Sequence, residues 1–412
     1  MRASHWSEKS AEDFCLSVRD GTHDSPKPTP YGKKLITSKN IIGGNINLEN
    51  AYKISIEDAE KVDKRSLVEQ WDVLISMIGT VGEVCLIKEK PDFSIKNIGL
   101  FKSKGKAEGI YLYYYLKSKL AKNYIENRLA GSTQKYISLT ELRSMPIKYP
   151  ENREEMYAIN STLSYLDDKI DLNRRTNETL EAMARALFRD WFVDFGPTRA
   201  KMAGEAPYLA PELWELFPGR LDNEGKPEGW RIASIDSLCR ITSGKRPPNK
   251  ETSPSDENPV PVYGGNGISW FTKDVLFNQP FLITGRVGTL GTVFRINEKC
   301  WVSDNALCLF PKIDSYFEYL YFIVSGIDFQ SLNSGSTQPL LTQSSLLSQE
   351  CILPAEEIIT IFHTQISVWF EMQQQLEKES HTLAQLRDLL LPKLMSGEIS
   401  IRDAEKMVED AA

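Results

Sequence analysis

The stretch that decides the fold runs from Ile159 to Phe192 and reads INSTLSYLDDKIDLNRRTNETLEAMARALFRDWF. One set of positions, which we call the seam, recurs at alternating steps of four and three residues and would face a partner helix. Its members are Ile159, Leu163, Leu166, Ile170, Asn173, Asn177, Leu180, Ala184, Leu187 and Trp191. This spacing is typical of a coiled coil with two polar interruptions. Neither proline nor glycine breaks the stretch, so we predict one helix about 50 Å long, at 1.5 Å per residue. Such a helix, with one apolar stripe, needs a partner helix.

The same chain supplies a candidate partner. A second set of seam positions lies 203 residues after members of the first: Phe362, Ile366, Trp369, Leu376, Leu383 and Leu390. Leu376 stands where the first copy has the polar Asn173. The two seams are in phase, and we expect two long helices with matching stripes.

The repeat extends beyond the helices. Gly79-Thr80-x-Gly82 returns as Gly288-Thr289-x-Gly291, and the Gly-Ser-Thr-Gln string that begins at Gly131 returns at Gly335. A period of about 200 residues indicates a duplicated domain and not a solenoid. The chain therefore reads as module, helix, module, helix.

The composition is that of a globular protein with two or three domains. The chain has 412 residues, of which 41% are hydrophobic and 25% are charged. No apolar run approaches the roughly 20 residues that span a bilayer, and the N-terminus has no signal-peptide core. We therefore expect a cytoplasmic protein without a membrane role. The six cysteines form no CxxC pair and the four histidines are isolated from them, so we expect reduced structural thiols and no metal site.

The charge is unevenly distributed along the chain. The net charge is −7, yet residues 1–150 hold 24 Lys and Arg against 18 Asp and Glu, a net of +6. Residues 230–353 hold 10 against 11. Local charge decides whether a polyanion binds, so the first module favours nucleic acid and the second does not.

The remaining segments suggest short elements around the long helices. Leu67–Lys90 has the pattern of two strands around the Gly79–Gly82 turn, and Gly131–Pro150 that of strand and loop. Helical spacing predicts further helices at Ile110–Leu129, Pro211–Leu216 and Tyr316–Val324, and the second long helix from near Pro354 until it gives way between Leu390 and Ile401.

Sequence signatures of catalysis are missing. The strings Asn258-Pro259-Val260-Pro261 and Arg246-Pro247-Pro248-Asn249 do not fit the Asn/Asp-Pro-Pro-Tyr/Phe motif of amino-methyltransferases. Pro211-Glu212 with Glu224-Gly225-Lys226 can be forced onto a nuclease pattern, but these residues lie in a connector without a strand. No phosphate-binding GxxxxGK[ST] loop occurs. The pattern favours a recognition protein or a scaffold over an enzyme.

Several strings resemble the specificity subunit of Type I restriction–modification enzymes. They occur in the family's order: Asp20-Gly21-Thr22-His23, Ala186-Leu187-Phe188-Arg189-Asp190-Trp191-Phe192, Arg199-Ala200-Lys201, Leu216-Phe217-Pro218, Pro227-Glu228-Gly229-Trp230 and Leu391-Pro392-Lys393-Leu394-Met395-Ser396-Gly397-Glu398-Ile399. The likeness covers nearly the whole chain.

The resemblance implies an α+β fold with internal pseudo-two-fold duplication. Two β-rich target-recognition domains would be separated by two long antiparallel coiled-coil helices. The implied division is 1–150 for the first recognition domain, 151–195 for the first spacer helix, 196–353 for the connector and second recognition domain, and 354–412 for the second spacer helix and tail.

The resemblance also implies a function without catalysis. Each recognition domain would read one half of a split double-stranded DNA target. The helices would dock two modification subunits, which methylate adenine, and restriction subunits would add an ATP-driven translocase and nuclease. The methyl donor and ATP would bind to those partners, leaving this subunit with no cofactor and no catalytic residue.

Base and phosphate contacts require side chains with hydrogen-bonding reach. The candidates are Lys33, Lys34, Lys39, Thr133, Gln134 and Lys135 in the first module, and Lys245, Arg246, Arg286, Thr337 and Gln338 in the second. For any one of them, a solvated surface residue is the simpler interpretation. The Gly-Ser-Thr-Gln strings are the stronger candidates, with a strand-entry turn kept by the fold as the alternative.

Other interpretations remain open at this stage. Trp191, Phe192 and Phe195 form an aromatic cluster that could dock a partner subunit or pack in a core. A non-catalytic protein–protein scaffold with two β-rich binding modules would also fit the acidic total and the near-neutral second module. An enzyme with an unrecognised site is the third hypothesis.

Overall fold

A computed structural model of the chain describes residues 6–288, 290–335 and 339–410. The chain divides into two compact units. Unit 1 comprises Met1–Arg174 with Glu377–Ala412, and unit 2 comprises Arg175–Leu376. Both long helices therefore contribute residues to each unit.

The strands are, in chain order, β1 (Trp6–Ser10), β2 (Ser17–Asp20), β3 (Lys33–Ile36), β4 (Ile41–Ile42), β5 (Asn45–Ile46), β6 (Lys53–Ile54), β7 (Val73–Ser76), β8 (Val84–Leu86), β9 (Phe93–Ile95), β10 (Ile98–Lys102), β11 (Pro146–Pro150), β12 (Arg231–Ser234), β13 (Cys239–Ser243), β14 (Val260–Gly264), β15 (Gly267–Thr272), β16 (Phe281–Gly285), β17 (Val293–Ile296), β18 (Trp301–Val302), β19 (Ala306–Pro311) and β20 (Glu350–Leu353).

The helices are α1 (Ala11–Phe14), α2 (Ile56–Ser66), α3 (Lys106–Lys117), α4 (Lys119–Glu126), α5 (Leu139–Ser144), α6 (Arg153–Phe192), α7 (Gly196–Ala203), α8 (Pro211–Leu216), α9 (Phe317–Ser325), α10 (Gln343–Leu347), α11 (Glu356–Ser396) and α12 (Ile401–Glu409). The long helices α6 and α11 have 40 and 41 residues.

The two units repeat one sheet topology, which confirms the duplication. Unit 1 has a four-stranded antiparallel sheet in the order β2-β10-β7-β8, and unit 2 has the matching order β13-β19-β16-β17. Each unit adds a parallel pair, β3 with β9 or β14 with β18. Each is also closed by an antiparallel pair, β1 with β11 or β12 with β20.

The seam residues of the long helices are buried or half-buried, as the spacing predicts. In unit 1 Arg387 Nη1 lies 2.7 Å from Asp167 Oδ1, and Asn173 Nδ2 donates to Glu379 at 2.7 Å, so the helices run antiparallel. In unit 2 the Trp191 ring lies 6.0 Å from that of Phe362. These contacts confirm the predicted helix pairing.

One seam position is displaced. Trp369 is half-buried, and its neighbour Phe370 is buried instead. An α-helix with 3.6 residues per turn drifts against a 3.5-residue repeat, so the buried stripe moves to the adjacent residue.

The structure corrects some local predictions. The segment predicted as one helix at Ile110–Leu129 is two helices, α3 and α4, because Ser118 is extended and its hydroxyl caps α4 by accepting from the Ala121 N–H. The connector contains α7 as well as the predicted α8, and the strand-and-loop segment after Gly131 includes α5.

Each unit has its own apolar core. The main core of unit 1 joins its sheet to α3, α6 and α11, and that of unit 2 joins its sheet to α9, α6 and α11. All six cysteines are buried and free, a placement that is typical of structural thiols. None of the helices described by the structure is both long and apolar enough to cross a membrane.

Candidate nucleic-acid interface

The two glycine motifs of the first module meet in unit 1, although 48 residues lie between them in the sequence. The Gly79 N–H donates to the carbonyl of Lys135 at 3.2 Å, and the Ile137 N–H donates to the carbonyl of Met77 at 3.0 Å. The turn after β7 therefore lies directly against the Gly-Ser-Thr-Gln loop. Residues 131–136 of that loop are all exposed.

The same contacts recur in unit 2. The Gly288 N–H donates to the carbonyl of Pro339 at 3.1 Å, and the Leu341 N–H donates to the carbonyl of Arg286 at 2.9 Å. With the offsets of the repeat, Gly79 corresponds to Gly288 and Lys135 to Pro339, so the match holds residue for residue.

Further segments reach the same edge of each sheet because the strands are antiparallel. The end of β7 is paired with the start of β10, where Ile98 faces Ser76, and Gly99 faces Asp20 at the end of β2. In unit 2 Gly285 faces Ala306, and Ser243 faces Leu307 at the end of β13. We call this edge the loop end of each unit.

A third duplicated element lies at the loop end. The Gly-Gly-Asn string occurs at Gly43–Asn45 and again at Gly264–Asn266. It supplies the turn Gly43-Gly44 of the β4–β5 hairpin and the turn Gly265-Asn266 of the β14–β15 hairpin. A Cβ on Gly44 would lie 3.7 Å from the carbonyl oxygen of Val84, which opens β8 just after the glycine turn. We did not predict this element, but the Gly-Gly-Asn repeat at an offset of 221 residues could have identified it.

Glycine has a specific use in these loops. Gly79, Gly82 and Gly131 have φ of +82°, +97° and +91°, and Gly288 and Gly291 have φ of +82° and +100°. Only glycine adopts such angles without steric cost. The N–H groups of Gly79, Gly82 and Gly288 are used within the units. What these turns offer is a surface without side chains, which leaves room for a phosphate to approach beside the neighbouring polar side chains.

Comparison with known proteins adds the family. The family model of the type I restriction modification DNA specificity domain matches residues 3–182 and again 227–380. The chain belongs to this family. The two matches correspond to the two copies of the repeated sheet and its loop end.

Individual relatives are similar over most of their length. The chain is 28% identical to the type I restriction enzyme MjaIX specificity subunit of Methanocaldococcus jannaschii, over 71% of this chain and 69% of the relative. It is 27% identical to the HindI specificity subunit of Haemophilus influenzae, over 64% of this chain and 71% of the relative. The S subunit of the type I system of M. genitalium has the same fold, with a TM-score of 0.62 at 15% identity, over 96% of this chain and 97% of that one.

In unit 1 of this specificity-family chain, the predicted DNA-contacting residues fall into two groups. Thr133, Gln134 and Lys135 are exposed at the loop end. The turn that carries the exposed Lys39 is also there, since the neighbouring Ser38 hydroxyl donates to the Asn97 carbonyl at 3.1 Å.

Lys33 and Lys34 lie at the far end of β3 and are engaged within unit 1. The Lys33 ammonium lies 2.7 Å from the Asp63 carboxylate, and Lys34 Nζ donates to the Leu48 carbonyl at 3.0 Å. These two side chains are not brought together with the other candidates. The sequence does not distinguish them, because burial and ion pairing depend on distant residues.

In unit 2 the candidates converge. Lys245 and Arg246 are exposed directly after β13, and Arg286 is half-buried directly after β16. Thr337 and Gln338 lie outside the described residues. The near-neutral total of this module therefore conceals a local cluster of cations at the loop end, with Asp304 as the exposed acidic residue in the adjoining loop.

The loop end of unit 1 has a different charge arrangement at the corresponding place. Asp20 is buried, its carboxylate is bonded by the Arg65 guanidinium, and it lies 2.8 Å from His23 Nε2. The other His23 nitrogen lies 2.9 Å from the Asn97 amide oxygen. The two loop ends thus share a backbone frame and present different side chains.

The proposed docking cluster is part of a core. Trp191, Phe192 and Phe195 are buried among other aromatic rings of unit 2, including Trp230 and Phe362. Core packing accounts for these side chains, which are not available to a partner on the surface. Within the described residues, no group of three or more His, Cys, Asp or Glu is placed to hold a metal ion.

Proposed function

We propose that this chain is the DNA-recognition subunit of a type I restriction–modification complex, and that each loop end reads one half of a split target. The observation that carries the proposal is the recurrence of one backbone frame, Gly79 with Lys135 and Gly288 with Pro339, at the loop end of both units. Membership of the specificity family supports it.

The two loop ends have the same backbone arrangement and different side chains, as expected of two domains that recognise different DNA sequences. Phosphate contacts from backbone amides and lysines position a protein on DNA, whereas side chains that reach base edges specify the sequence. The glycine turns, repeated in both units, are suited to the first task. The side chains that differ between the units are suited to the second.

In this proposal the long helices dock two modification subunits. Apolar side chains on their outer surfaces support this role: Tyr157, Tyr165 and Leu172 on α6 are each more than half exposed, as is Val368 on α11. The modification subunits would bind the methyl donor, restriction subunits would bind ATP, and this subunit would use no cofactor. The division at residues 1–150, 151–195, 196–353 and 354–412 belongs to the same proposal.

The experiment is an exchange of one recognition module. Residues 230–353 are replaced with the equivalent module of a relative. The chain is expressed with its modification subunit, and methylated adenines are mapped across the genome. We expect one half of the target to change and the other half and the gap to stay the same. The reciprocal exchange of residues 1–150 is the matched control and should change only the other half.

Two outcomes would contradict the proposal. A change of both half-sites by one exchange would show that the modules do not read independently. An assembled modification complex that neither binds nor methylates DNA would favour the protein–protein scaffold instead.

A further inference from the structure

The backbone of Arg286 is hydrogen-bonded through both its N–H and its carbonyl at the loop end of unit 2. Its N–H donates to the Asn305 carbonyl at 2.9 Å, and its carbonyl accepts from the Leu341 N–H at 2.9 Å. Arg286 is thus held between Asn305, at the start of β19, and Leu341. A backbone fixed in this way does not have to be ordered when the side chain binds a ligand, which lowers the entropic cost of binding.

The guanidinium of Arg286 is hydrogen-bonded to a hydroxyl but forms no ion pair with a carboxylate of the described residues. Its Nη1 lies 3.5 Å from the Ser243 hydroxyl, which also accepts from Gln343 Nε2 at 3.0 Å. Its Nε is buried and has no hydrogen-bond partner among the residues that the structure describes. None of the carboxylates in the described residues lies within 4 Å of it, unlike the ion-paired Arg295 of the same unit. Because Nε is enclosed by the protein and Nη1 is directed at Ser243, Nη2 and the second hydrogen of Nη1 are the donors left for a ligand.

The fold does not need an arginine at this position. The equivalent residue of unit 1, identified by the same backbone hydrogen bond from the next loop, is the buried Met77. Leu139 likewise stands where unit 2 has Gln343. An apolar pair therefore supports the same frame, and the polar pair of Arg286 and Gln343 is an addition particular to unit 2.

A guanidinium carries a planar fork of donors, which matches two acceptors side by side. In the major groove guanine presents such a pair, O6 and N7, and arginine to guanine is the commonest specific contact. We propose that Arg286 reads a guanine in the half-site recognised by unit 2, with Ser243 and Gln343 as positioning residues. This inference rests on the proposed function, and it assigns the recognition of one base in the DNA target to one side chain.

The test compares wild type with Arg286→Met, each assembled with the modification subunit. Methionine is the residue at the equivalent position of unit 1, Met77. The duplex probe carries the mapped target. The half-site read by unit 2 is the one that changes when residues 230–353 are exchanged. In that half-site, each G·C pair is replaced by A·T, one pair at a time. We expect wild type to lose about 5- to 150-fold in affinity at one G·C pair. The variant should no longer discriminate at that pair and should retain discrimination elsewhere.

Controls separate a lost base contact from lost charge or lost folding. Lys299→Met removes an exposed cation of unit 2 beyond the opposite end of β17 and should leave discrimination at every pair unchanged. Arg286→Lys keeps the charge and loses the fork, so it should reproduce the loss at the same pair even if the methionine variant does not fold. Gln343→Leu, matching Leu139, should weaken discrimination at that pair and at no other.

The possible outcomes separate a failure of the Arg286 assignment from a failure of the proposed DNA-recognition function. A unit 2 half-site without a G·C pair, or an unchanged pattern of discrimination in both Arg286 variants, overturns the assignment and leaves DNA recognition intact. A wild-type assembly with no preference for any target would instead overturn the proposed function.

Discussion

Asn177 of α6 and Gln373 of α11 bind each other reciprocally inside unit 2. Gln373 Nε2 donates to the Asn177 carbonyl at 2.8 Å, and Asn177 Nδ2 donates to the Gln373 carbonyl at 3.3 Å. The Gln373 side chain is 5% exposed, and its amide oxygen accepts from Arg295 Nη2 at 2.8 Å. Removing one partner of such a buried polar contact lowers the free energy of unfolding. The contact also fixes the register of α6 against α11.

Replacement of Gln373 by leucine should therefore destabilise unit 2 although it makes the seam more apolar. Arg295 Nη2 and the Asn177 carbonyl would each lose one hydrogen bond. A hydrogen bond to a charged group such as Arg295 contributes about 1.5–3 kcal/mol. Urea unfolding of the purified chain measures the change. Gln375→Leu, on the exposed face two residues away, should change the free energy of unfolding by about 0.5 kcal/mol at most. Equal stabilities of the two variants would contradict this reading of the contact.

Phosphate contact by Lys135 should appear in the salt dependence of DNA binding. Each phosphate contact contributes about 0.9 to the slope of log K against log salt. Lys135→Ala, in the assembled methyltransferase, should lower that slope by about one contact and weaken target and non-target DNA alike. Lys90→Ala removes an exposed cation beyond the other end of β8 and should leave the slope unchanged. Wild-type binding that does not vary between low and physiological salt would refute an electrostatic role of this surface.

Gly21 should tolerate no side chain. A Cβ at this position would lie 2.4 Å from the carbonyl oxygen of Ile95, where the chain leaving β2 crosses the end of β9. Gly21→Ala must displace backbone, and we expect a loss of about 1–3 kcal/mol in the free energy of unfolding. Gly219→Ala, with no heavy atom within 4 Å of its Cβ, is the matched control and should be near neutral. A Gly21→Ala variant as stable as wild type would show that the loop is not fixed there.

The native thiols should be unreactive. Burial raises the pKa of Cys15, Cys85, Cys239 and Cys300 to about 12 and that of Cys351 to about 11, and it also raises the pKa of Cys308. Because the thiolate is the reactive form, a thiol reagent at pH 8 should modify none of the six in the folded chain and all six in urea. Lys299→Cys places a thiol on the surface and should add one that reacts without urea. Rapid reaction of native wild type would contradict the buried positions.

The local part of the fold was predictable because its causes are local. A seam such as that of Ile159 to Trp191 is set by the period of the helix, and a turn such as Gly79–Gly82 is set by the backbone angles that glycine allows. The duplication was predictable for the same reason, since equal local patterns form equal elements. Where prediction failed, as at Ser118, a single polar side chain had ended one helix and capped the next.

The recognition surface is different in kind, because it is assembled from segments far apart in the chain. The sequence by itself determined the two long helices, the repeated turns and the set of cationic and polar candidates. Only the tertiary structure decided that Gly79 meets Lys135, that Lys33 is committed to Asp63, and that Trp191 belongs to a core. Pairing and burial depend on neighbours that strand register and helix packing bring together, and no local pattern contains that information.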